Sequence, residues 1–247
     1  MAGRTLFIAD LHLCESRPAV TRRFFEFLRD EACHADAIYI LGDFFETWVG
    51  DDDLASPLYA ETASHLNKLS SSGVPVFFMH GNRDFLLARR YADLAGMALI
   101  ADPSVIDLYG VPTLLVHGDT LCTDDTAYLA FRGQVRNPDW QRNFLAQPLA
   151  ARKAMAQQAR AQSETAKQGK SDEIMDVNTE EVARILRSHA YPRLIHGHTH
   201  RPARHAHQVD GHDCERWVLP DWYARWGYLA CDKAGCELVI RNLASGP

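Results

Sequence analysis

The sequence predicts an α/β fold: one large domain, sheet-based, carrying an inserted helical segment. Three observations lead there. Short runs rich in β-branched and aromatic residues alternate with segments of helical spacing, the pattern of strands covered by helices. Five of those runs end in a residue able to bind a metal, most of them beside a glycine. From 126 to about 170 the β-branched content falls and Ala, Gln, Arg and Lys take over, which is helical composition. At 247 residues the chain is long enough to bury a full core.

Residues 5–9 read as a strand delivering Asp10-Leu11-His12. Alternation along extended chain puts Asp10 and His12 on one side, within reach of one ion. The plainer reading is a capping Asp and a surface His. A helix over 19–31 follows, with Phe24, Phe25 and Leu28 at helical spacing. Residues 37–40 form the next strand. Gly42 then lets the chain turn and presents Asp43 at the strand's carboxyl end, where open α/β sheets bind ligands. Gly50-Asp51-Asp52-Asp53 reads as a solvated acidic loop before a helix over 57–69. The strand at 74–79 delivers His80-Gly81-Asn82-Arg83-Asp84, with Asp84 expected to cap a helix carrying Phe85, Leu86 and Leu87.

Further strands are expected at 98–109 and 113–116, the second ending in His117-Gly118-Asp119-Thr120. In the helical segment, 151–170 carries Arg152, Lys153, Arg160, Lys167 and Lys170 against one acid, Glu164. That is either a solvated helix face or a basic lid for an anionic ligand, phosphate-bearing or at a membrane surface. Trp140, Phe144, Leu145, Leu149 and Met155 supply apolar surface that packs on the body or lines a lipophilic channel; both uses stay open here. Another helix is expected over 176–189, with Asn178 or Thr179 as its N-cap. A short strand at 193–195 leads into His196-Gly197-His198-Thr199-His200-Arg201-Pro202. Three histidines at alternate positions around a glycine are hard to explain as packing. Strands at 217–219, 228–231 and 237–240 would close a second layer of a sandwich. The core is accordingly assigned to 1–125 and 171–247, and an inserted helical cap to 126–170.

Composition narrows the class. Nearly half of the residues are hydrophobic (47%) and 23% charged, an ordinary globular balance. A formal net charge of −6 argues against broad nucleic-acid binding. The six cysteines show no C-x-x-C pair, and no signal-peptide profile precedes the first strand, so free thiols in a reducing, cytoplasmic setting are expected. No apolar run approaches the roughly 20 residues that span a bilayer.

Carboxylates, imidazoles and one amide, with no thiolate among them, suit hard to borderline divalent ions such as Mn²⁺, Fe²⁺ or Mg²⁺. We read Asp43 as the ligand shared by two such ions. Two ions roughly 3.5–4 Å apart clamp a phosphate and acidify a water between them, and Arg83 would add charge stabilisation.

In order along the chain, Asp10-x-His12, Gly42-Asp43-x-x-Glu46, Gly81-Asn82-x-Asp84, the glycine-flanked His117 and Gly197-His198-x-His200 resemble the five motifs of the calcineurin-like metallophosphoesterase superfamily. The resemblance implies a four-layer αββα sandwich with a helical cap insertion. It also implies how the ligands divide: Asp10, His12, Asp43 and His200 on one ion, Asp43, Asn82, His117 and His198 on the other. Many members carry His after the Asn, where it protonates the leaving oxygen. This chain has Arg83. A phosphate leaves as a weak base, so general-acid help, typically 10²–10⁴-fold, is dispensable for a pyrophosphate linkage.

Longer segments, Ile8-Ala9-Asp10-Leu11-His12-Leu13, Tyr39 to Glu46, His117 to Asp125, Ile174 to Asn178 and Ile195 to Pro202, resemble the UDP-2,3-diacylglucosamine diphosphatases of lipid A biosynthesis over essentially the whole chain. That family resemblance implies hydrolysis of UDP-2,3-diacylglucosamine to UMP and 2,3-diacylglucosamine 1-phosphate (lipid X), water attacking the α-phosphorus. It implies two Mn²⁺ per chain and peripheral attachment to the cytoplasmic leaflet of a Gram-negative inner membrane, with no nucleic acid and no obligate protein partner. Catalytic roles fall on Asp43, Arg83 and His198, and substrate contacts on Asn82, Arg83, Asp125, Ser163, Lys167, Lys170 and His198. Lys167 departs from the family, where a neutral polar residue such as Asn is expected. The alternatives are another dinuclear phosphodiesterase acting on a nucleotide or nucleic acid, and a non-catalytic scaffold, which should have lost some of these ligands.

Overall fold

The computed structural model describes residues 3–167 and 176–243. In chain order the elements are β1 (Thr5–Ile8), α1 (Pro18–Asp30), β2 (Ala37–Leu41), α2 (Pro57–Ser71), β3 (Val76–Met79), α3 (Arg89–Ala95), β4 (Met97–Ile100), β5 (Ser104–Leu108), β6 (Val111–Leu115), α4 (Thr126–Val135), α5 (Pro138–Leu145), α6 (Leu149–Lys167), α7 (Thr179–Ser188), β7 (Arg193–His196), β8 (Ala203–Val209), β9 (His212–Val218), β10 (Arg225–Asp232) and β11 (Gly235–Asn242).

Two sheets result. The first runs β11-β10-β1-β2-β3-β4, with β1 to β4 parallel and β10 and β11 added antiparallel at one side. The second runs β5-β6-β7-β9-β8, parallel through β6, β7 and β9. The alternation of side chains along β1 explains how they stack. Leu6 and Ile8 face α1, α2 and α3 in one apolar cluster, while Phe7 and Ala9 join Leu115, Ile195 and Trp217 of the other sheet in a second. Val182, Ile185 and Leu186 of α7 cover the far side of the second sheet, over Leu114, Val116 and Leu194. The order of layers is therefore helix, sheet, sheet, helix, as the motifs imply. Among the described residues no helix is long and apolar enough to cross a membrane.

Several expectations need correction. The strand expected at 98–109 is two strands, β4 and β5, lying in different sheets; Pro103 falls between them and withholds a ladder donor. Phe85, Leu86 and Leu87 lie in a turn, and the helix begins only at Arg89. The β8–β9 hairpin is longer than the strand expected at 217–219. Its turn, Asp210-Gly211, has positive φ at both residues (52° and 83°), the Asp-Gly signature of a tight hairpin. Not all six cysteines are thiols: Cys231 and Cys236 face each other across the β10–β11 hairpin and form a disulfide, their Cα atoms 4.1 Å apart. Cys14, Cys33, Cys122 and Cys214 are not in disulfides.

Candidate metal centre

The carboxyl ends of β1, β2 and β3 in one sheet and of β6 and β7 in the other point to the same end of the sandwich. Backbone hydrogen bonds extend the pairing past the strands: Asp10 N donates to Gly42 O (3.1 Å), His12 N to Asp43 O (2.9 Å) and Gly197 N to His117 O (2.9 Å). His117 links the sheets directly, its Nδ1 lying 2.8 Å from Leu41 O. Since only an N–H can donate there, the neutral imidazole of His117 carries its lone pair on Nε2, facing the site.

Two groups of ligand atoms form, Asp10 with His12 and His200, and Asp43 with His117 and His198, each within 4.8 Å. Asp43 stands between them. Its Oδ2 is 3.8 Å from His12 Nε2, and its Oδ1 is 3.7 Å from His117 Nε2. Asn82 Oδ1 lies 3.0 Å from both His117 Nε2 and His198 Nδ1. In the first group the Nε2 atoms of His12 and His200 approach to 3.4 Å, and Asp10 Oδ1 is 3.4 Å from His200 Nε2. That Asp10 oxygen is buried without a hydrogen-bond partner in the protein, although buried polar atoms nearly always have one. Convergent nitrogens and an orphaned carboxylate oxygen fit a divalent cation, and the donor set is free of thiolates.

The local backbone is unusual. Asp10, His12, Asp43, His198 and His200 all have positive φ, between 48° and 69°. Close approach also demands glycine: a Cβ on Gly81 would lie 2.2 Å from Asp43 N and Oδ1, and one on Gly197 2.3 Å from Asp10 Oδ2. The electrostatics divide neighbouring histidines. Burial pushes His198 down to about 3, helped by the charge of His117. For His117 burial acts the same way, but Asp43, Asp119 and Asp10 outweigh it and raise the imidazole to about 9. Burial is also the largest influence on both carboxyls. It lifts Asp43, whereas His200, His117 and His12 together hold Asp10 below the usual carboxylate range.

Residues 3–202 match the family described as calcineurin-like phosphoesterase. The chain belongs to that family. Over 238 residues this phosphoesterase is 57% identical to a protein of Cellvibrio japonicus (strain Ueda107) named UDP-2,3-diacylglucosamine hydrolase, covering 96% of this chain and 98% of that one. A protein of the same name from Aromatoleum aromaticum (strain DSM 19018 / LMG 30748 / EbN1) is 53% identical, covering 96% of each chain. One from Xanthomonas axonopodis pv. citri (strain 306) is 54% identical over 95% of this chain and 97% of its own.

Around the metal groups the phosphoesterase arranges further charge. Arg83 N donates to Asp43 Oδ1 at 2.8 Å, and the charge of its guanidinium reaches His12, Asp43 and Glu46. Asp84 does not cap a helix. Its buried carboxylate accepts from Gly81 N (2.8 Å), Phe44 N (2.7 Å) and Phe45 N (3.3 Å), holding the Asp43 and Asn82 loops together. The acidic run is not a solvated loop either. Asp51 accepts from Trp48, Ala88 and Tyr91, Asp52 pairs with the buried Arg152, and Asp53 lies 2.7 Å from Lys153. Arg160 reaches Glu46. Arg152, Lys153 and Arg160 thus fasten α6 to the body.

Of the expected substrate contacts, Asp125 accepts from Tyr128 N (3.1 Å) and caps α4, with the Tyr128 ring 6.1 Å from that of His198. Ser163 follows Arg160 by three positions and so shares its helix face. Lys170 and the side chain of Lys167 lie outside the described residues. Of the apolar side chains, Phe144 is buried and stacked on Trp140, and Leu149 packs on the core, whereas Leu145 and Met155 are exposed.

Sequence reasoning gave no role to three residues near the first group. Glu46 Oε2 is 3.6 Å from His12 Nδ1, favouring the tautomer with its lone pair on Nε2. Tyr223 places its ring 5.3 Å from His12 and 5.6 Å from His200, and the Arg17 guanidinium lies 4.4 Å over it. Glu46 carried a signal, its place in Gly42-Asp43-x-x-Glu46. Tyr223 and Arg17 carried none.

Proposed function

We propose that this phosphoesterase hydrolyses UDP-2,3-diacylglucosamine to UMP and 2,3-diacylglucosamine 1-phosphate, water attacking the α-phosphorus. The observation that carries the reading is Asp43, which offers one carboxylate oxygen toward each group of ligands, in a chain more than half identical to the relatives of that name. Asp10, His12, Asp43 and His200 would hold one Mn²⁺, and Asp43, Asn82, His117 and His198 the other. Bound there, two ions supply Lewis-acid charge for the phosphoryl oxygens and acidify the attacking water.

The other roles belong to the chain itself. The Arg83 guanidinium offsets negative charge growing on the phosphoryl oxygens. The bond broken runs from the α-phosphorus to the bridging oxygen. That oxygen departs with the electron pair on the β-phosphate, a weak base that needs no acid. His198 and Asn82 orient the phosphate, while Asp125, Ser163, Lys167 and Lys170 contact the glucosamine side. Residues 126–170 act as a cap over a core of 1–125 and 171–247, its exposed apolar side chains, Leu145 and Met155 among them, receiving the acyl chains. The enzyme works against the cytoplasmic leaflet of the inner membrane, in lipid A biosynthesis, and takes no nucleic acid.

The test is product analysis in ¹⁸O water with Mn²⁺, beside an Asp43→Ala control. Labelled UMP, released only by the wild-type protein, is the expected result. Cleavage of a generic diester without turnover of the lipid nucleotide would leave the family intact and overturn the substrate.

A further inference from the structure

Beside the first group of ligands lies a pocket of about 450 Å³, within the usual range for small-molecule sites. His200 belongs to both: its imidazole converges with Asp10 and His12, and it also lines the pocket. The remaining wall includes Asp176 and, on the loop after β7 and on β8, β9 and β10, Thr199, Arg201, Ala203, His205, Arg216 and Arg225. None of the described residues of α4, α5 or α6 lines it, so it opens away from the helices that face Glu46 and Gly81.

Its chemistry is that of an anion site with neutral polar contacts. Three arginines meet there. Arg201 pairs with Asp176, and Arg225 with Asp221. Arg216 differs: it is buried, and its hydrogen bonds go to two imidazoles, His196 Nε2 at 3.1 Å and His207 Nε2 at 3.2 Å. The charge of Asp176 reaches it, but among the described residues no carboxylate forms a direct ion pair with it. A buried guanidinium is costly unless an anion compensates it. Thr199 Oγ1 is likewise buried with no hydrogen-bond partner, on the residue between His198 and His200. The first group is thus met by α6 at His12, through Arg160 and Glu46, and by the pocket at His200.

We propose that the pocket receives the nucleoside monophosphate half of the substrate, the half released as UMP. Arg201 and Arg216 face its phosphate and the carbonyl oxygens of its base, and Thr199 and His205 its hydroxyl groups. The assignment rests on the hydrolase reading above for the identity of the nucleotide.

Calorimetric binding of UMP and of inorganic phosphate to the Mn²⁺-loaded protein tests it, because inorganic phosphate needs only the metal groups. Ala203→Phe fills the pocket without removing a polar atom, and Thr199→Val removes one hydroxyl at nearly constant volume. We expect Ala203→Phe to weaken UMP about tenfold or more and Thr199→Val by several-fold, with phosphate affinity held within about twofold. UMP affinity untouched by both changes, or UMP and phosphate weakened in parallel, would overturn the proposal. Turnover of UDP-2,3-diacylglucosamine is read separately on the wild-type protein. Turnover without the UMP contrast removes the pocket alone, and the contrast without turnover removes the hydrolase reading alone.

Discussion

The backbone N–H of His198 donates to Asp10 Oδ2 at 2.8 Å, so the loop after β7 is fastened to the loop after β1 through a side chain whose other oxygen faces His12 and His200. One carboxylate thereby sets the distance between the two ligand groups. Asp10→Asn keeps an acceptor for that N–H but weakens the first group. If the two groups each hold an ion as proposed, bound divalent metal should fall from about two ions to about one per chain and activity roughly 100-fold or more. Metal analysis of the dialysed protein checks it, together with loss of part of the rise in Tm that added Mn²⁺ produces. Asp10→Ala should cost a further ~1–3 kcal/mol of stability by leaving the His198 N–H unpaired.

Gly81→Ala places a methyl group where the backbone and carboxylate of Asp43 already are. Relieving the clash pushes the two loops apart, at about 1–3 kcal/mol. The expected outcome is a lower Tm with a larger loss of metal affinity than of secondary structure, read by titrating Mn²⁺ into the apo protein.

Arg152→Met removes a guanidinium buried against Asp52 and Val49 O. Breaking a fully buried pair costs about 3–5 kcal/mol; Asp52 is half exposed, so about 2 kcal/mol is expected. Urea denaturation measures the loss. Limited proteolysis should show faster cleavage within α5 and α6 than in the sheets.

Stability should fall on the acid side through His196. Burial, reinforced by Arg216, holds its imidazole down to about 3, against an ordinary 6.5. The unfolded chain takes up a proton below about pH 6.5 and the folded protein does not until about 3, so stability is lost as pH falls across that window. Between pH 7.5 and 5 the loss is ~2 kcal/mol. Urea midpoints of wild type and His196→Asn at the two pH values isolate it, since the variant lacks this proton uptake.

The clustered carboxylates and imidazoles could be read from the sequence because each follows an apolar run whose strand character is local. Asp84 could not, since an Asp before Phe85-Leu86-Leu87 looks like a helix cap until the Asp43 loop is brought against it. Asp52 and Asp53 resembled solvent-facing acids because their partners, Arg152 and Lys153, lie a hundred residues further along. The Cys231–Cys236 pair was missed for want of the hairpin register. The Asp210-Gly211 turn was legible and went unused.

The five left-handed residues at the metal groups carry a wider consequence. Each such conformation costs an L-residue about 1–2 kcal/mol, least for Asp and His. Together they approach the roughly 5–15 kcal/mol by which a whole domain is stable. The metal-binding end therefore stores backbone strain, and glycine at His200, whose partly exposed side chain anchors no backbone N–H among the described residues, should relieve some of it in an inert protein. A screen for thermostability alone would select against the enzyme's own chemistry.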